Sequence, residues 1–519
     1  MASLNPIQLE KENSYWVKAQ LAVLYTKEGL EPFVCNEIQQ FQLKCLDDIC
    51  YSNGLLSGTL CSSCCTENLV KCPTNKICSV GRGKCRYHRN AAKRFNPAGC
   101  PNKICHNFTT EIQNVHRYSD PSYKNTDATQ WCGNFWEVAK CFMPPDGYAD
   151  KASAAETDFN GIISIILNHK AFQGKIKEDL NNKTNMFERA RDIGRDVRHS
   201  PKPEVEDSDL KKYFHLLRQL LSDPGYLAKD THAQDAKNKL TELENGTLVI
   251  NEQCMEKVRR DSKQKLKYEL ITWYNTKHST VHLSPLTDAF PTPLAGFYIM
   301  PEVDIQTNLP DGRKETTRVK SLGDLLTSGR NVPLEIYLSA VAGLGKTAFS
   351  KYLAITWCQA HKNDEMYNLF KDEELEAVSG FEFLFLIILR DSAKVCDVDN
   401  MIEQQVIQYL PCSSSMPEVF LKDLLKDILR DEQCLVILDG LDEWTHPDNN
   451  CTKLPKSVPH RYARDKCVIL TTTRPWKLGV SNLEISQIHK TIELVKLNED
   501  KTREFNLNAM KILKRNNED

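Results

Sequence analysis

Four short runs of apolar, β-prone residues punctuate the last third of the chain: Leu334–Leu338, Phe383–Leu389, Leu435–Leu438 and Val468–Leu470. Helix-patterned segments separate them. Few folds accommodate such alternation, because strands spaced by helices join in parallel and the helices cover both faces of the sheet. The expectation for residues 330–519 is therefore an α/β domain with a mainly parallel sheet.

The first run leads straight into Ala340-Val341-Ala342-Gly343-Leu344-Gly345-Lys346-Thr347, and a helix pattern with Phe349, Tyr352 and Leu353 follows. Strand, small-residue turn and helix in that order form a phosphate cradle, since backbone N–H groups can wrap an anion at close range only where side chains are small. The helix N-terminus adds its dipole. Lys346 would reach the β- and γ-phosphates, and Thr347 would hold Mg2+. The pattern GxxxxGK[ST] opens here with Ala340 instead of glycine.

The third run, Cys434-Leu-Val-Ile-Leu-Asp-Gly-Leu-Asp-Glu-Trp444, is a buried strand ending in three carboxylates. Asp439 stands where a carboxylate would hold the Mg2+ shell, and Asp442 and Glu443 where a group would orient the attacking water. The fourth run ends in hydroxyls and a cation, Thr471-Thr-Thr-Arg474-Pro. On their own these are an acidic loop and a strand-end arginine. Together they predict one site.

GLGKT, LVILDGLDEW and ILTTTRP, with FEFLFLIILRD between them, resemble the NACHT family of signal-transducing (STAND-class) P-loop NTPases, over about residues 330–500. The resemblance implies Walker A residues 340–347, a Walker B aspartate at Asp439, catalytic roles for Asp442 and Glu443, and a sensor role for Arg474. It also implies bound ATP with Mg2+, slow hydrolysis and nucleotide-gated homo-oligomerisation. NACHT proteins usually continue into a winged-helix lid; the expectation here is a truncated module without one.

Residues from about 155 to 275 read as a helical bundle. Phe159, Ile162, Ile163 and Ile166 form one amphipathic stripe; Met186, Ala190, Ile193 and Val197 a second; Leu210, Tyr213, Phe214 and Leu217 a third. Segments 231–244 and 254–274 extend the pattern. Residues 1–150 read as irregular, with helical periodicity only around Tyr15–Phe41. On the second helix Arg191, Arg195, Arg198 and His199 face away from the apolar stripe, either as a solvated face or as an anion-binding one. The segments ARDIGRDVRHSP and WCGNFWEVAKCF are similar to the HEPN domain of the DAZ-interacting ubiquitin-ligase type, over roughly 1–250. That resemblance implies an RNA-binding or dimerising bundle, with RNA cleavage as the alternative.

Thirteen of the 20 cysteines lie between Cys35 and Cys141, and seven are scattered over the rest as expected small core residues. Cys61, Cys64, Cys85 and His88 supply C-x2-C and C-x2-H half-sites for structural zinc, with unliganded thiols as the competing reading. Nine Lys or Arg and no acid separate Glu67 from Glu111. This basic stretch either contacts RNA phosphates or is simply solvated.

The net charge of -2 argues against a general nucleic-acid coat. With no apolar run near 18 residues and no signal-like N-terminus, the expectation is a cytoplasmic protein with no membrane partner. The expected organisation is a Cys-rich HEPN-like domain at 1–250 with an insertion at about 50–145, a helical and Pro-rich linker at 251–329, and the NACHT module at 330–519. The function this implies is a nucleotide-gated scaffold in innate-immune or stress signalling. Its alternatives are a HEPN-based RNA effector governed by the NACHT module, and a non-enzymatic adaptor with a decayed nucleotide site.

Overall fold

The computed structural model describes residues 6–61, 64, 66–69, 100, 102–199, 205–248, 250–281, 292–308, 314–319, 321–326, 334–362, 369–447, 451, 455–480 and 490–517. The chain divides into two compact units, Met1–Val258 and Arg259–Asp519. It is a mixed α/β protein with an N-terminal helical region and a mostly parallel sheet.

The first unit is built around one long helix, α1 (Pro6–Ser52). It contains the Tyr15–Phe41 stretch where helical periodicity is expected and extends beyond it at both ends, into residues read as irregular. Trp16, Leu21, Ala22, Leu30, Phe33, Val34 and Ile38 are all buried, and they point in several directions because neighbours surround the helix. Burial on many sides erases the single apolar stripe that periodicity detects. Around α1 pack α2 (Ile104–Val115), α3 (Phe135–Ala139), α4 (Phe159–Asn168), α5 (Met186–His199), α6 (Asp207–Leu221) and α7 (Thr231–Asn245). The α1–α7 crossing is close. A Cβ on Gly29 would come within 2.5 Å of the Ala236 methyl, so only glycine permits that approach. The stripe of α4 is buried as the spacing predicts, and that of α6 is buried at Leu210, Phe214 and Leu217 but only half-buried at Tyr213. On α5 Ala190, Ile193 and Val197 are buried together with Phe187, whereas Met186 of the expected stripe is only half-buried.

Helix α8 (Glu252–Lys277) runs through the division between the units. The sheet of the second unit comprises β1 (Val303–Asn308), β2 (Lys314–Arg318), β3 (Leu334–Ser339), β4 (Phe383–Ile388), β5 (Cys434–Asp439), β6 (Cys467–Thr473) and β7 (Lys490–Leu494). Their order is β2-β1-β7-β3-β6-β5-β4. The five strands from β7 to β4 are parallel, and β1 and β2 add an antiparallel edge. Those two strands fall within the stretch read as linker. Strands β4 and β5 are buried along almost their whole length, as parallel strands covered on both faces must be. Between β3 and β4 lies α9 (Lys346–His361), which buries Phe349, Leu353 and Trp357. From β3 the chain crosses to the far edge of the sheet, returns through β5 and β6 beside β3, and then passes to β7 on its other side. Neighbouring strands β3 and β6 thus send their connections in opposite directions. That reversal opens a crevice at the carboxyl ends of parallel strands.

Candidate functional site

The residues at the carboxyl ends of β3, β5 and β6 meet. Strand β5 ends on Asp439, whose side chain is buried at 4% exposure. Its carboxylate accepts three hydroxyl hydrogen bonds: from Thr347 at 2.6 Å, Thr472 at 2.7 Å and Ser350 at 3.0 Å. Thr347 and Ser350 lie one helical turn apart at the start of α9, so both face the same strand end. Thr472 comes from β6, and its oxygen also accepts the Gly440 N–H at 2.9 Å. A buried carboxylate is tolerated when its lone pairs are filled in this way.

The turn before α9 takes its shape from two glycines. Gly343 and Gly345 have φ of 82° and 87°, values that favour residues without a Cβ. Ala340, the departure from the glycine pattern, is not strained. Its φ is not positive, and its N–H donates to the Thr473 carbonyl at 3.1 Å, which prolongs the pairing of β3 with β6. Val341, Ala342 and Gly343 are exposed on the turn, while Leu344 is half-buried. The Lys346 ammonium folds onto the turn's own carbonyls, at 2.9 Å from Ala340 and 3.4 Å from Val341. A helix N-terminus with a lysine, next to a carboxylate ringed by hydroxyls, suits an anion and a cation side by side.

Beyond Asp439 the chain turns at Gly440 (φ 88°), and Asp442 and Glu443 project from a short 3-10 segment, Leu441–Glu443. The Asp442 carboxylate, almost fully buried, lies 2.7 Å from the Arg474 Nε. The Nε–H does not point at it, so the contact is an ion pair without a good hydrogen bond. Glu443 pairs with Arg390, the residue that follows β4 and the next residue, Leu389. This hydrogen bond holds the Glu443 carboxyl below its usual range. Burial opposes the effect, and the charges of Arg390, Arg474 and Lys346 assist it. All of the residues singled out from sequence on β3, β5 and β6 thus come together. Ser350, Arg390 and Thr472 join them without having been singled out, although Arg390 sits within the quoted FEFLFLIILRD run and Thr472 within ILTTTRP.

In the helical unit, Cys61, Cys64, Cys100 and Cys105 are buried together, with all four sulfurs within 4.8 Å of one another. Cys61 Sγ is 3.8 Å from Cys64 Sγ and 3.4 Å from Cys100 Sγ. Four thiolates around one zinc ion stand about 3.8 Å apart when the Zn–S distance is about 2.3 Å. The cluster could hold a metal ion such as zinc. Of the expected ligands, Cys61 and Cys64 belong to it, while Cys85 and His88 lie outside the described residues. Cys100 and Cys105 take the remaining corners, delivered by the start of α2. Burial pushes the Cys64 thiol up to about 12, with hydrogen bonds to Cys100 and Cys61 adding to the shift. A metal ion binding there would have to displace the thiol protons.

Three of the four α5 arginines pair with a carboxylate: Arg191 with Glu188, Arg195 with Asp192, and Arg198 with Asp158 of the α4 N-cap, while Arg189 is exposed. The side chain of His199 lies outside the described residues. Among the described residues no helix is long and apolar enough to cross a membrane.

No curated protein matches the chain. Residues 9–270, spanning the helical unit and the first part of α8, match the family described as a domain of unknown function, DUF4559. With half of its length accounted for in this way, the chain belongs to the DUF4559 family.

Proposed function

We propose that the second unit is a NACHT-like P-loop module that binds ATP with Mg2+ and works as a slow, nucleotide-gated switch. The observation that carries this reading is the 2.6 Å hydrogen bond from Thr347 to Asp439, residues 92 apart in sequence. Those are the two side chains that would share the Mg2+ ion, through the threonine oxygen and the carboxylate. The strand order supports it, since the glycine turn opens at the crevice where α/β sheets receive ligands. Lys346 would leave its carbonyl contacts for the β- and γ-phosphates. Glu443, kept ionised by Arg390, would orient the attacking water. Arg474, held beside Asp442, would meet the charge that develops on the γ-phosphate.

In this proposal ATP orders the module and brings copies of the chain together, a signalling role suggested by the family resemblance alone. The alternative of an RNA-cleaving helical unit gains nothing from Arg191, Arg195 and Arg198, each of which is matched by a carboxylate. The decayed-adaptor alternative rests in part on Ala340, and the unstrained backbone there removes that part of its support. Light-scattering mass measurement of the full chain tests the switch. Mg2+ and ATP together should raise the mass of the wild type and leave Lys346→Ala unchanged. A wild-type mass indifferent to nucleotide would refute gated assembly.

A further inference from the structure

We propose that the α/β unit carries a zinc site of its own, formed by Cys396, His446, Cys451 and His460. The four ligand atoms lie within 4.8 Å of one another. His460 is buried and the other three are half-buried. Two cysteines and two histidines are a common ligand set for structural zinc, and two thiolates cancel the charge of the ion. A neutral centre of that kind costs little to hold where water is partly excluded.

Half of the site is fixed by backbone pairing. The His460 N–H donates to the Cys396 carbonyl at 2.6 Å, and the Val398 N–H donates to the His460 carbonyl at 2.9 Å. An isolated parallel bridge joins Asp397 to His460. Cys396 and His460 are therefore side by side whatever occupies the site. The other half comes from the chain that leaves the acidic turn, His446 being three residues beyond Glu443.

The imidazoles are oriented for a metal. His446 Nδ1 stands 2.7 Å from the Pro447 carbonyl, a contact that requires the proton on Nδ1 and leaves the Nε2 lone pair free. A backbone carbonyl of this type is the usual outer partner of a zinc-bound histidine. The freed Nε2 points at His460 Nε2, 3.0 Å away. Two nitrogens bound to one tetrahedral zinc stand about 3.3 Å apart, given Zn–N near 2.0–2.1 Å. The His446 ring also packs edge-on against buried Trp444, at 5.9 Å between centroids. Zinc here would tie the chain after the Asp439–Glu443 turn to the segment before α10 (Val398–Gln405) and to the approach of β6. The ion would brace the acidic turn from outside without touching it.

Zinc per chain, measured by plasma mass spectrometry on the purified full chain, tests the site. Cys396→Ser/Cys451→Ser should carry one equivalent less than the wild type. Cys61→Ser/Cys64→Ser should keep the equivalent bound at Cys396. Equal zinc in the wild type and Cys396→Ser/Cys451→Ser would overturn the proposal, as would a Cys396–Cys451 disulfide found by peptide mapping of the protein purified under reducing conditions. Single variants guard against misfolding. His446→Cys supplies a replacement ligand and should retain the metal, whereas His446→Ala should release it to a chromophoric chelator at least tenfold more readily. Cobalt exchanged into Cys61→Ser/Cys64→Ser should give a tetrahedral spectrum with two-thiolate charge transfer, and the absence of that band would count equally against the site.

Discussion

Tyr274 closes an exposed sheet edge, and removing its hydroxyl should loosen the whole edge strand. Among the described residues β4 is the last strand of the sheet and pairs only with β5, so its outer N–H and C=O groups meet no further strand there. The buried Tyr274 hydroxyl takes that place. It donates to the Leu384 carbonyl at 3.1 Å and accepts the Leu386 N–H at 2.8 Å. One step further along, the Gln405 amide does the same for Ile388, receiving its N–H at 2.9 Å and donating to its carbonyl at 2.9 Å. Side chains thus stand in for a neighbouring strand. Tyr274→Phe keeps the ring, its contact with Trp357 and nearly all of its volume, so the cavity cost is small. It leaves two buried backbone groups unpaired. At roughly 1–3 kcal/mol for each group, the expected loss is about 3 kcal/mol. That corresponds to roughly a hundredfold faster hydrogen exchange wherever exchange requires the sheet to open. Mass spectrometry of the peptides covering Phe383–Leu389 and Cys434–Asp439 reads it directly. Exchange within about threefold of the wild type would refute the view that this hydroxyl replaces a strand.

Three further outcomes are expected. His169 is buried among Phe41, Phe142 and Phe172, and burial first, then the charge of His116, lowers its pKa to about 4. The unfolded chain then binds the extra proton, so stability falls as pH drops from about 6.5 to 4, by about 3 kcal/mol; urea titrations of His169→Phe should lack that slope, and an identical slope would remove His169 as its source. Asp158 adds a second acid limb: burial works to raise its pKa, but Arg198, the Gly161 N–H and the Tyr148 hydroxyl outweigh it and hold the carboxyl low. Its stabilisation is present above the unfolded carboxyl value and is lost only as pH falls below about 4, and Asp158→Asn should abolish that limb. Zinc entering the chelator-stripped Cys61–Cys105 cluster should expel protons from its raised thiols, visible as a dependence of binding heat on buffer ionisation; heats equal in all buffers would mean that no thiolate forms there.

Much of the α/β unit was legible because fully buried parallel strands are written as unbroken apolar runs, as in Phe383–Ile388 and Cys434–Asp439. The chemistry sits at the ends of those runs, so a linear reading found Lys346, Thr347, Asp439, Asp442, Glu443 and Arg474 together. Val303–Asn308 and Lys314–Arg318 escaped it because edge strands are polar: VDIQTN and KETTR look like linker. The length of α1 was hidden for the opposite reason, its surroundings burying it on several sides. The clusters that could hold a metal ion were the least legible. Cys100 and Cys105 reach Cys61 only through the placement of α2. Cys358, Cys412, Cys434 and Cys467 are the core residues expected of scattered cysteines, but Cys254, Cys396 and Cys451 are only half-buried, and the last two meet two histidines that no local spacing pattern connects.

In the proposed function the start of α9 and the end of β5 share one metal-bound triphosphate. Calorimetric titration of the full chain with ATP, in the presence and absence of Mg2+, tests it most directly. Saturable binding that strengthens with Mg2+, loses that gain in Thr347→Ala and vanishes in Lys346→Ala is the predicted result. Wild-type affinity in Lys346→Ala, or no ATP binding by the intact chain, would contradict it.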